Sequence, residues 1–390
     1  MGIAEQESTV AIATGILGKA TETGARRHIA HLFGGRTVVL AETRAGSFDA
    51  GRPAFVLDEA VEGPSAVVED LIGKGIQSLR HDNSGVPFGR RRAALERFLQ
   101  DHNVTAIVAE FGHIGANLAP VGKALGIPVI VYFRGFDASK RLRAPRVVRR
   151  YKAAMPNLAA LVSVSQSLID NLAAAGVTHP LCEVIPTGVD TDLFRPGEKD
   201  PHLLIAVGRI VAKKAPLVTI DAFAALAGDF PRHRLEVIGD GELRGAAEAR
   251  VRALGLGDRV IFHGMKDHAF VRDAISRAQV FLQHSVTDAD GNTEGLPTSI
   301  QEAMACGTVV VSTHHAGIPE AITDGVNGRL VAEHDAAGFA LALRDVVANP
   351  AAADRMAADA RAVAESRFDY RKLHARLEAL IARVGGTPVG

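Results

Sequence analysis

The sequence predicts an α/β protein of two doubly wound domains, each with a parallel sheet between layers of helices. Short runs of β-branched and other apolar residues alternate with longer helical stretches along almost the whole chain. Most of these runs are continuously apolar, without the alternation of a half-exposed strand, which is typical of parallel strands buried on both faces. The length of 390 residues also favours two domains over one.

In the first half, an apolar run at about residues 10–17 is interpreted as the first strand. Further strands are predicted at residues 37–41, 106–109, 129–133 and 161–164, with a helix at 93–100. Residues 186–197 are rich in Pro, Gly and Asp, which predicts a hinge at 188–197 between domains at 1–187 and 198–371.

The second half repeats the same alternation. Strands are predicted at residues 203–207, 235–238, 260–262, 280–283, 308–312 and 329–331. Helices are predicted at 216–226 and 243–254. The Ala-rich tail from 350 to 384 is expected to be helical, and its last part, about 372–390, is expected to pack back on the first domain.

Composition argues against several classes of protein. Lys plus Arg equals Asp plus Glu, so the formal net charge is zero and a nucleic-acid binder is not expected. The two cysteines, Cys182 and Cys306, form neither a disulfide framework nor a zinc pattern, which fits a reducing compartment. The first apolar run follows acids and is too short to span a bilayer, so a cytoplasmic protein is expected.

The most informative segment is 291–307, in which two carboxylates, Glu294 and Glu302, bracket a turn and the predicted start of a helix. Free backbone N–H groups and the positive end of the helix dipole beside Glu294 make this an anion site with a carboxylate at its lip. A phosphate would lie on the amides, a sugar hydroxyl would donate to Glu294, and a ribose diol would donate to Glu302. The alternative is a solvated loop followed by an ordinary helical Glu.

Local signals set the expected bounds of that helix. Pro297 suits a first helical position, and Thr298 or Ser299 is expected to cap the exposed N–H groups. Gly307 is a natural stop before the next apolar run.

A second cluster opens the C-terminal half. Gly208 ends a predicted strand, Arg209 and Lys214 follow in a loop, and Pro216 begins a helix. The guanidinium fork of Arg and the point charge of Lys together would neutralise a diphosphate. The alternative is a pair of solvated basic residues.

Arg209 and Lys214, followed by Glu294 and Glu302, resemble the donor site of family 4 glycosyltransferases with the GT-B fold. The resemblance continues through residues 237–243, 260–264 and 315–321, and it covers roughly 203–331. It implies two Rossmann-like domains facing across a cleft, with an N-terminal acceptor domain and a C-terminal nucleotide-sugar domain. It also implies a retaining hexosyltransferase similar to those of exopolysaccharide and colanic-acid assembly.

The resemblance assigns roles to individual residues of the donor site. Arg209 and Lys214 would hold the donor diphosphate, and Glu302 the ribose. The donor sugar would face Glu294 and the amides of Gly295 and Leu296, and the base would lie near Met265 and Lys266.

The N-terminal half resembles the family more loosely. Residues 21–28 resemble a first-loop motif in which a small residue, here Gly24, lets the backbone approach the donor. Residues 110–115 and 133–137 resemble two further segments at the cleft edge. Much of the family carries a His where Glu110 and Arg134 stand here, so the usual contact of that His with the donor sugar is in doubt.

These departures suggest other roles for the N-terminal residues. Glu110 could accept a sugar hydroxyl, and Arg134, with Asp137, could hold a phosphate or an acidic acceptor. His113 is a catalytic candidate or, alternatively, a surface or satisfied histidine.

Two further patterns bear on cofactors and partners. Asp288 and Asp290 mimic an Asp-x-Asp metal site, but the basic residues already supply positive charge, so no metal or other cofactor is expected beyond the donor nucleotide sugar. Residues 140–152 are densely basic, which indicates a solvated face, an anionic membrane surface or a phosphorylated lipid-linked acceptor. Nucleic acid is a weaker candidate there because Trp is absent and aromatics are few.

Three functions are compatible with these patterns. The first is a retaining hexosyltransferase that extends a cell-surface polysaccharide or its lipid-linked precursor. The second is a transferase for a soluble small molecule, or another GT-B sugar-nucleotide enzyme. The third, a non-catalytic GT-B scaffold, is disfavoured because it would not need all of Arg209, Lys214, Glu294 and Glu302.

Overall fold

A computed structural model describes residues 9–18, 23–46, 50–61 and 64–385. These residues form two compact units, each built around its own parallel sheet. The first unit contains the described residues up to Val164, Leu168–Ile185 and the segment from His374 onward. The second contains Ser165–Ser167 and Pro186–Leu373.

Within the described residues, the sheet of the first unit has seven strands. In chain order they are β1 (Thr9–Leu17), β2 (Thr37–Arg44), β3 (Ala54–Val56), β4 (Val104–Glu110), β5 (Val129–Phe133), β6 (Ala160–Ser163) and β7 (Cys182–Val184). Their spatial order is β3-β2-β1-β4-β5-β6-β7, and all neighbours are parallel. Val10 of β1 pairs with Thr37 on one side and Ala106 on the other, so the strand order reverses there.

The helices described in this half of the chain connect these strands. They are α1 (Thr23–His31), α2 (Pro64–His81), α3 (Gly89–Asp101), α4 (Gly112–Leu125), α5 (Pro145–Ala154) and α6 (Gln166–Ala174).

The sheet of the second unit has six strands. They are β8 (Asp200–Val207), β9 (Arg234–Ile238), β10 (Val260–Gly264), β11 (Ala278–Leu282), β12 (Val309–Thr313) and β13 (Arg329–Val331). Their order is β10-β9-β8-β11-β12-β13, again all parallel, with the reversal between β8 and β11.

The remaining helices pack on this second sheet or follow it. They are α7 (Pro216–Ala227), α8 (Arg244–Ala253), α9 (His268–Arg277), α10 (Thr298–Ala305), α11 (Ile318–Ala321), α12 (Ala336–Ala348), α13 (Pro350–Val363) and α14 (Tyr370–Arg383). A π-helical turn, Ala364–Phe368, joins the last two.

Consecutive strand residues are buried in separate clusters, which explains the continuous apolar runs. Val280 belongs to one core cluster with Phe223 and Phe339. Its neighbour Phe281 belongs to a second cluster with Ile300 and Met304. Because side chains alternate along a strand, the two clusters lie on opposite faces of the sheet, and the predicted parallel α/β fold is confirmed.

The strands that the sequence did not predict are β3 and β7. Each has three residues and ends its sheet, so it carries too few apolar positions for a pattern.

Helix α14 begins in the second unit and ends in the first. In the first unit, the Glu378 carboxylate accepts a hydrogen bond from the backbone N–H of Phe33 at 2.6 Å. Arg376 donates to the carbonyl of Val184 at 2.8 Å.

Residues 386–390 of the predicted tail helix lie outside the described residues. None of the helices in the described ranges has the length and apolarity needed to cross a bilayer.

Candidate functional site

The chain makes a tight turn where β8 ends. Gly208 has a φ of 140°, and its N–H donates to the carbonyl of Ile238 at 2.9 Å. A 3-10 turn, Ala212–Lys214, follows, and Ala215 adopts the left-handed region with a φ of 37° before Pro216 begins α7. These turns place the side chains of Lys213 and Lys214 near the loop that precedes α10.

Both lysines form ion pairs with the same carboxylate. Lys213 Nζ lies 3.2 Å from Glu294 Oε2, and Lys214 Nζ lies 3.3 Å from Oε1. Burial by itself raises the pKa of Glu294, but the charges of Lys214 and Lys213 outweigh it and hold that pKa at about 2. Glu294 is therefore ionised throughout the physiological range.

Lys214 has a further partner at the end of β11. Its Nζ donates to Gln283 Oε1 at 2.9 Å, and the same oxygen accepts from the hydroxyl of Ser299 in α10 at 3.2 Å. Gln283 therefore links the lysine to the first turn of α10. The amide orientation of Gln283 follows from these partners and from its Nε2, which donates to Ser285 Oγ at 2.8 Å.

A buried histidine fixes the backbone at Glu294. The N–H of Glu294 donates to His315 Nε2 at 3.0 Å, so the proton of this ring lies on Nδ1. Nδ1 in turn donates to Glu333 Oε1 at 2.6 Å. The carbonyl of Gly295 accepts from the N–H of Gly317 at 2.9 Å, so the segment after β12 fixes this loop at two points.

Two expectations about α10 need correction. The helix begins at Thr298, so Pro297 occupies the N-cap and not the first helical position. No side chain of the described residues caps this N-terminus, and the Ser299 hydroxyl donates to Gln283 Oε1. Gly307 follows the helix with a φ of 57°, as expected for a C-terminal stop.

The other predicted donor residues of this unit lie on nearby elements. Glu302 is buried within α10, and Gly295 and Leu296 are buried just before it. Arg209 is exposed after β8, and its charge contributes to lowering the pKa of Lys214, after burial and Lys213. Met265 and Lys266 are exposed after β10, where Lys266 Nζ lies 5.1 Å from the ring centre of Phe270.

The Asp-x-Asp sequence forms a local turn. Asp288 Oδ1 accepts from the N–H groups of Asp290 and Asn292 at 3.0 and 2.9 Å. Across the ranges that the structure describes, no three or more His, Cys, Asp or Glu side chains are grouped as metal ligands.

Sequence reasoning missed Lys213, Gln283 and the pair His315–Glu333 as site residues. Lys213 lies next to the predicted Lys214, so a local signal was present. The direction of the two side chains depends on the 3-10 turn and on Ala215, neither of which the sequence indicates.

A second polar cluster lies in the first unit, at the end of β4. Glu110 is fully buried and accepts hydrogen bonds from His28 Nδ1 of α1 and, at 2.5 Å, from Arg134 Nε after β5. Burial raises the pKa of Glu110, but the charges of Arg134 and His28 outweigh it and hold that pKa at about 2. Both carboxylate oxygens of Glu110 thus have protein partners. These contacts favour a role in which Glu110 positions Arg134 over one in which it binds a sugar hydroxyl directly.

Gly24 lies directly beneath this guanidinium. A Cβ at Gly24 would lie 2.5 Å from Arg134 Nη1, so a larger residue would displace the guanidinium from its present position. Thr21 and Glu22 of the first-loop motif lie outside the described residues.

Asp137 and His113 have protein partners of their own. Asp137 is buried and accepts from the N–H groups of Gly112, Arg134 and Gly135 at 2.9, 3.0 and 3.1 Å. The turn before Gly112 is strained, because Phe111 has a φ of 119°, which side-chain-bearing residues rarely adopt. His113 Nε2 lies 3.7 Å from Glu42 Oε2, and its ring stacks on Phe111.

Two family profiles match successive parts of the chain. Residues 34–193 match the profile described as Glycosyltransferase Family 4, and residues 190–363 match Glycosyl transferases group 1.

Two of the sequence relatives are named as glycosyltransferases of polysaccharide biosynthesis. The chain is 29% identical over 287 residues to the amylovoran biosynthesis glycosyltransferase AmsK of Erwinia amylovora, covering 71% of this chain and 70% of AmsK. It is 31% identical over 240 residues to WcaL of Escherichia coli K12, a putative colanic acid biosynthesis glycosyltransferase. That alignment covers 60% of this chain and 59% of WcaL, less than two thirds of its length.

Solved structures share the fold at low sequence identity. HepE of Anabaena, crystallised with UDP, superposes with a TM-score of 0.76 at 18% identity, covering 96% of this chain and all of HepE. The sucrose-phosphate synthase of Thermosynechococcus elongatus superposes with a TM-score of 0.75 at 17% identity, covering 97% and 99% of the two chains.

Proposed function

The chain belongs to glycosyltransferase family 4, and from that membership we propose a retaining, metal-independent transfer of a hexose from a nucleotide-diphosphate sugar to an acceptor hydroxyl. The predicted family and the GT-B class of fold are confirmed by the profiles, the two parallel sheets and the similarity to solved structures. The protein is a glycosyltransferase that acts on a nucleotide sugar.

The observation that carries the proposal is the position of the Lys213–Glu294–Lys214 cluster. Lys214 follows β8 and its partner Gln283 follows β11, and the strand order of the second sheet reverses between these two strands. Ligands of open parallel sheets bind beyond the carboxyl ends of the strands at such a reversal. The donor is therefore proposed to bind here.

The charges of the cluster suit a diphosphate. Glu294 neutralises one of the two lysines, so the pair keeps a net positive charge, to which exposed Arg209 adds another. This positive charge would meet the negative charge that grows on the leaving diphosphate as the glycosidic bond breaks. In the proposal these residues stabilise the charge that a metal ion stabilises in other glycosyltransferases, and no cofactor is required.

Retention follows, in the proposal, from a front-face displacement. The bond from the anomeric carbon to the diphosphate oxygen breaks through an oxocarbenium-like state, and the acceptor oxygen bonds to the same face. The acceptor proton passes to the departing diphosphate, so no protein base is required. Because the acceptor oxygen itself bonds to the anomeric carbon, no protein nucleophile takes part either. The protein contributes by positioning and by stabilising the leaving group.

Acceptor binding is assigned to the first unit. Arg134, fixed by Glu110, would hold a phosphate or an acidic group, with His113 at the edge of the site. The names of AmsK and WcaL support an acceptor in cell-surface polysaccharide assembly, either a saccharide or a lipid-linked precursor. Peripheral membrane contact through the basic residues 140–152 is part of the same proposal.

The first test is thermal stabilisation by UDP, GDP, ADP and TDP, each with and without a chelator. We expect one nucleotide to stabilise the protein whether or not chelator is present, because the donor site contains its own cations. A ligand at 100 times its Kd adds about 2.7 kcal/mol, which raises Tm by a few degrees. UDP is the first choice because HepE was crystallised with UDP and with UDP-glucose.

Two lysine substitutions within the second unit, one at the proposed site and one outside it as a control, test where the nucleotide binds. Lys214→Ala should lose the nucleotide-induced shift in Tm, whereas Lys372→Ala, which removes an exposed lysine of α14, should keep it. With the sugar nucleotide identified in this way, NMR of the product should show the anomeric configuration of the donor. Stabilisation that requires metal, or an inverted product, would overturn the proposed mechanism.

A further inference from the structure

Helix α2 directs large apolar side chains outward. Val68, Leu71, Ile72 and Leu79 have exposed fractions of 57, 65, 55 and 90%. At 100° per residue, these four positions fall within an arc of about 100°, so they form one continuous face, the α2 apolar stripe.

The opposite face of α2 accounts for this orientation. Gly73 lies so close to Phe88 that a Cβ would be 2.8 Å from the Phe88 Cβ, and buried Gln77 donates to the carbonyl of Pro87 at 3.2 Å. Among the described side chains of α2, Gly73 and Gln77 thus contact the rest of the unit, while the four apolar residues of the stripe are exposed. This is the reverse of the usual amphipathic pattern and marks an interaction surface.

The elements beside the stripe are strongly basic. Helix α2 packs against α5, and a 3-10 turn, Lys140–Arg143, precedes α5. Residues 140–152 contain seven Lys or Arg and no Asp or Glu. Of these seven, Arg143, Arg146, Arg149 and Lys152 are exposed.

An exposed aromatic residue connects this surface to the proposed acceptor site. Phe136 is 46% exposed, and the guanidinium carbon of Arg141 lies 5.7 Å from its ring centre. Phe136 is also only two residues from Arg134, so the connection between β5 and α5 carries both the acceptor candidate and the basic surface.

We propose that the α2 apolar stripe and residues 140–152 form one docking surface for a bilayer rich in anionic phospholipid. The stripe enters the boundary between headgroups and acyl chains, and the basic residues bind the headgroups. A second copy of the chain fits this surface poorly, because a two-fold interface would bring the same positively charged residues together. The inference rests on the proposed function, since a lipid-linked acceptor would be presented at that bilayer.

The test is co-sedimentation of the full chain with two kinds of vesicle, one of phosphatidylcholine alone and one with about a third phosphatidylglycerol. We expect binding to the anionic vesicles and little binding to the neutral ones. The double variant Leu71→Ser, Ile72→Ser should reduce the partition coefficient by about tenfold or more, because it removes apolar surface from the bilayer contact. Arg146→Gln combined with Arg149→Gln should weaken binding and reduce its dependence on salt.

Leu341→Ser is the matched control. Leu341 is 67% exposed on α12, close to the 65% of Leu71, and lies in the second unit. This variant should bind vesicles like the wild type. Circular dichroism melting of all variants checks that the substitutions leave the fold intact.

Three results would overturn the inference. They are absence of wild-type binding to anionic vesicles, equal binding by the Leu71, Ile72 double variant, and a change from dimer to monomer in that variant on sedimentation. The last would assign the stripe to a subunit interface. Hydrolysis of the donor in the same preparations separates membrane docking from the proposed transfer reaction. Hydrolysis without vesicle binding contradicts membrane contact and leaves the transfer reaction standing, whereas vesicle binding without hydrolysis contradicts the transfer reaction alone.

Discussion

Lys213 and Lys214 are adjacent in sequence, yet their contacts differ. Lys214 contacts Glu294 and Gln283, whereas Lys213 contacts Glu294 and the carbonyl of Thr293 at 3.2 Å. Lys213 therefore holds both the side chain of Glu294 and the backbone before it. We assign it a positioning role, while Lys214 remains the residue proposed to meet the diphosphate.

This division predicts different kinetics for substitutions at the two lysines. Lys214→Ala should lower kcat more than it raises the donor KM, with a loss of about 2–4 kcal/mol in transition-state stabilisation. Lys213→Met should lower kcat by about tenfold, because Glu294 is then free to draw Lys214 away from the diphosphate. Lys213→Arg should recover part of that loss, since a guanidinium keeps the charge.

Steady-state kinetics of the wild type and the three variants measure kcat and the donor KM. Lys372→Met is the control for loss of an exposed lysine. A Lys213→Met enzyme with wild-type kcat would remove the positioning role. If Lys214→Ala changed only KM, its assignment to the leaving group would be wrong.

At the scale of elements, two turns meet at the carboxyl ends of β8 and β9. Gly239 has a φ of 137°, and a Cβ there would lie 2.0 Å from the carbonyl oxygen of Gly208. A Cβ at Gly208 would lie 3.1 Å from Lys214 Cε, so the lysine stem runs across Gly208. The two glycines therefore allow the close backbone packing over which the lysine reaches Glu294.

A pair of alanine substitutions tests this packing. Gly239→Ala should lower the free energy of unfolding by more than about 2 kcal/mol, because it combines a positive φ with a clash against backbone. Gly245→Ala in α8, where no atom of the described ranges lies within 4 Å of the added Cβ, should be neutral or stabilising by up to about 1 kcal/mol. Urea unfolding followed by circular dichroism measures both, and equal effects of the two substitutions would contradict the proposed packing.

The sequence was sufficient to predict the elements where burial imposes a pattern. β5 and β13 have their predicted bounds, because each is a short apolar run. The N-terminus of α10 was predicted less well, since Pro297 occupies the N-cap and the hydroxyl of Ser299 contacts Gln283, 16 residues earlier in the chain.

Contacts between residues far apart in the chain could not be predicted from the sequence. Glu110 and His28 are 82 residues apart, and neither local pattern indicates that they meet. The family resemblance pointed to Glu110 and Arg134 as departures, and the structure shows that they compensate each other as an ion pair. The outward apolar face of α2 was also missed, because its helical period alone does not reveal which face is buried.

At the scale of the whole molecule, each unit contains a buried histidine that is held neutral. Burial, with lesser effects of neighbouring cations, lowers the pKa of His374 in the first unit to about 2. Burial, with a lesser effect of His334, lowers that of His284 in the second unit to about 4. Among the residues that the structure describes, neither ring nitrogen of His284 has a hydrogen-bond partner, and the ring packs edge-on against Phe339.

The acid response of the molecule follows from these shifts. Below about pH 6.5 the unfolded state protonates these histidines while the folded state does not, so stability falls as pH falls from about 6.5 to 4. Glu110 and Glu294 have folded pKa values of about 2, below those of carboxyl groups in the unfolded chain, so they stabilise the fold when ionised. Their contribution is complete above about pH 4.5 and is lost as pH falls through 2. We therefore expect acid destabilisation in two stages. The first, between about pH 6.5 and 4.5, is due to the histidines, and in the second, down to about pH 2, the two carboxylates add to the continuing effect of His374.

His284→Leu separates the first stage from the second within one unit. The variant lacks a group that protonates on unfolding, so the loss of stability of the second unit between about pH 6.5 and 4 should shrink by about 2–3 kcal/mol. The fall below about pH 4.5 should persist, because Glu294 is unchanged. Urea unfolding at a series of pH values measures this change. His314→Leu is the control, because His314 lies in the same unit and is exposed. An unchanged slope in His284→Leu would mean that His284 takes up its proton in the folded state as readily as in the unfolded chain, and the buried neutral ring would then not be the source of the first stage.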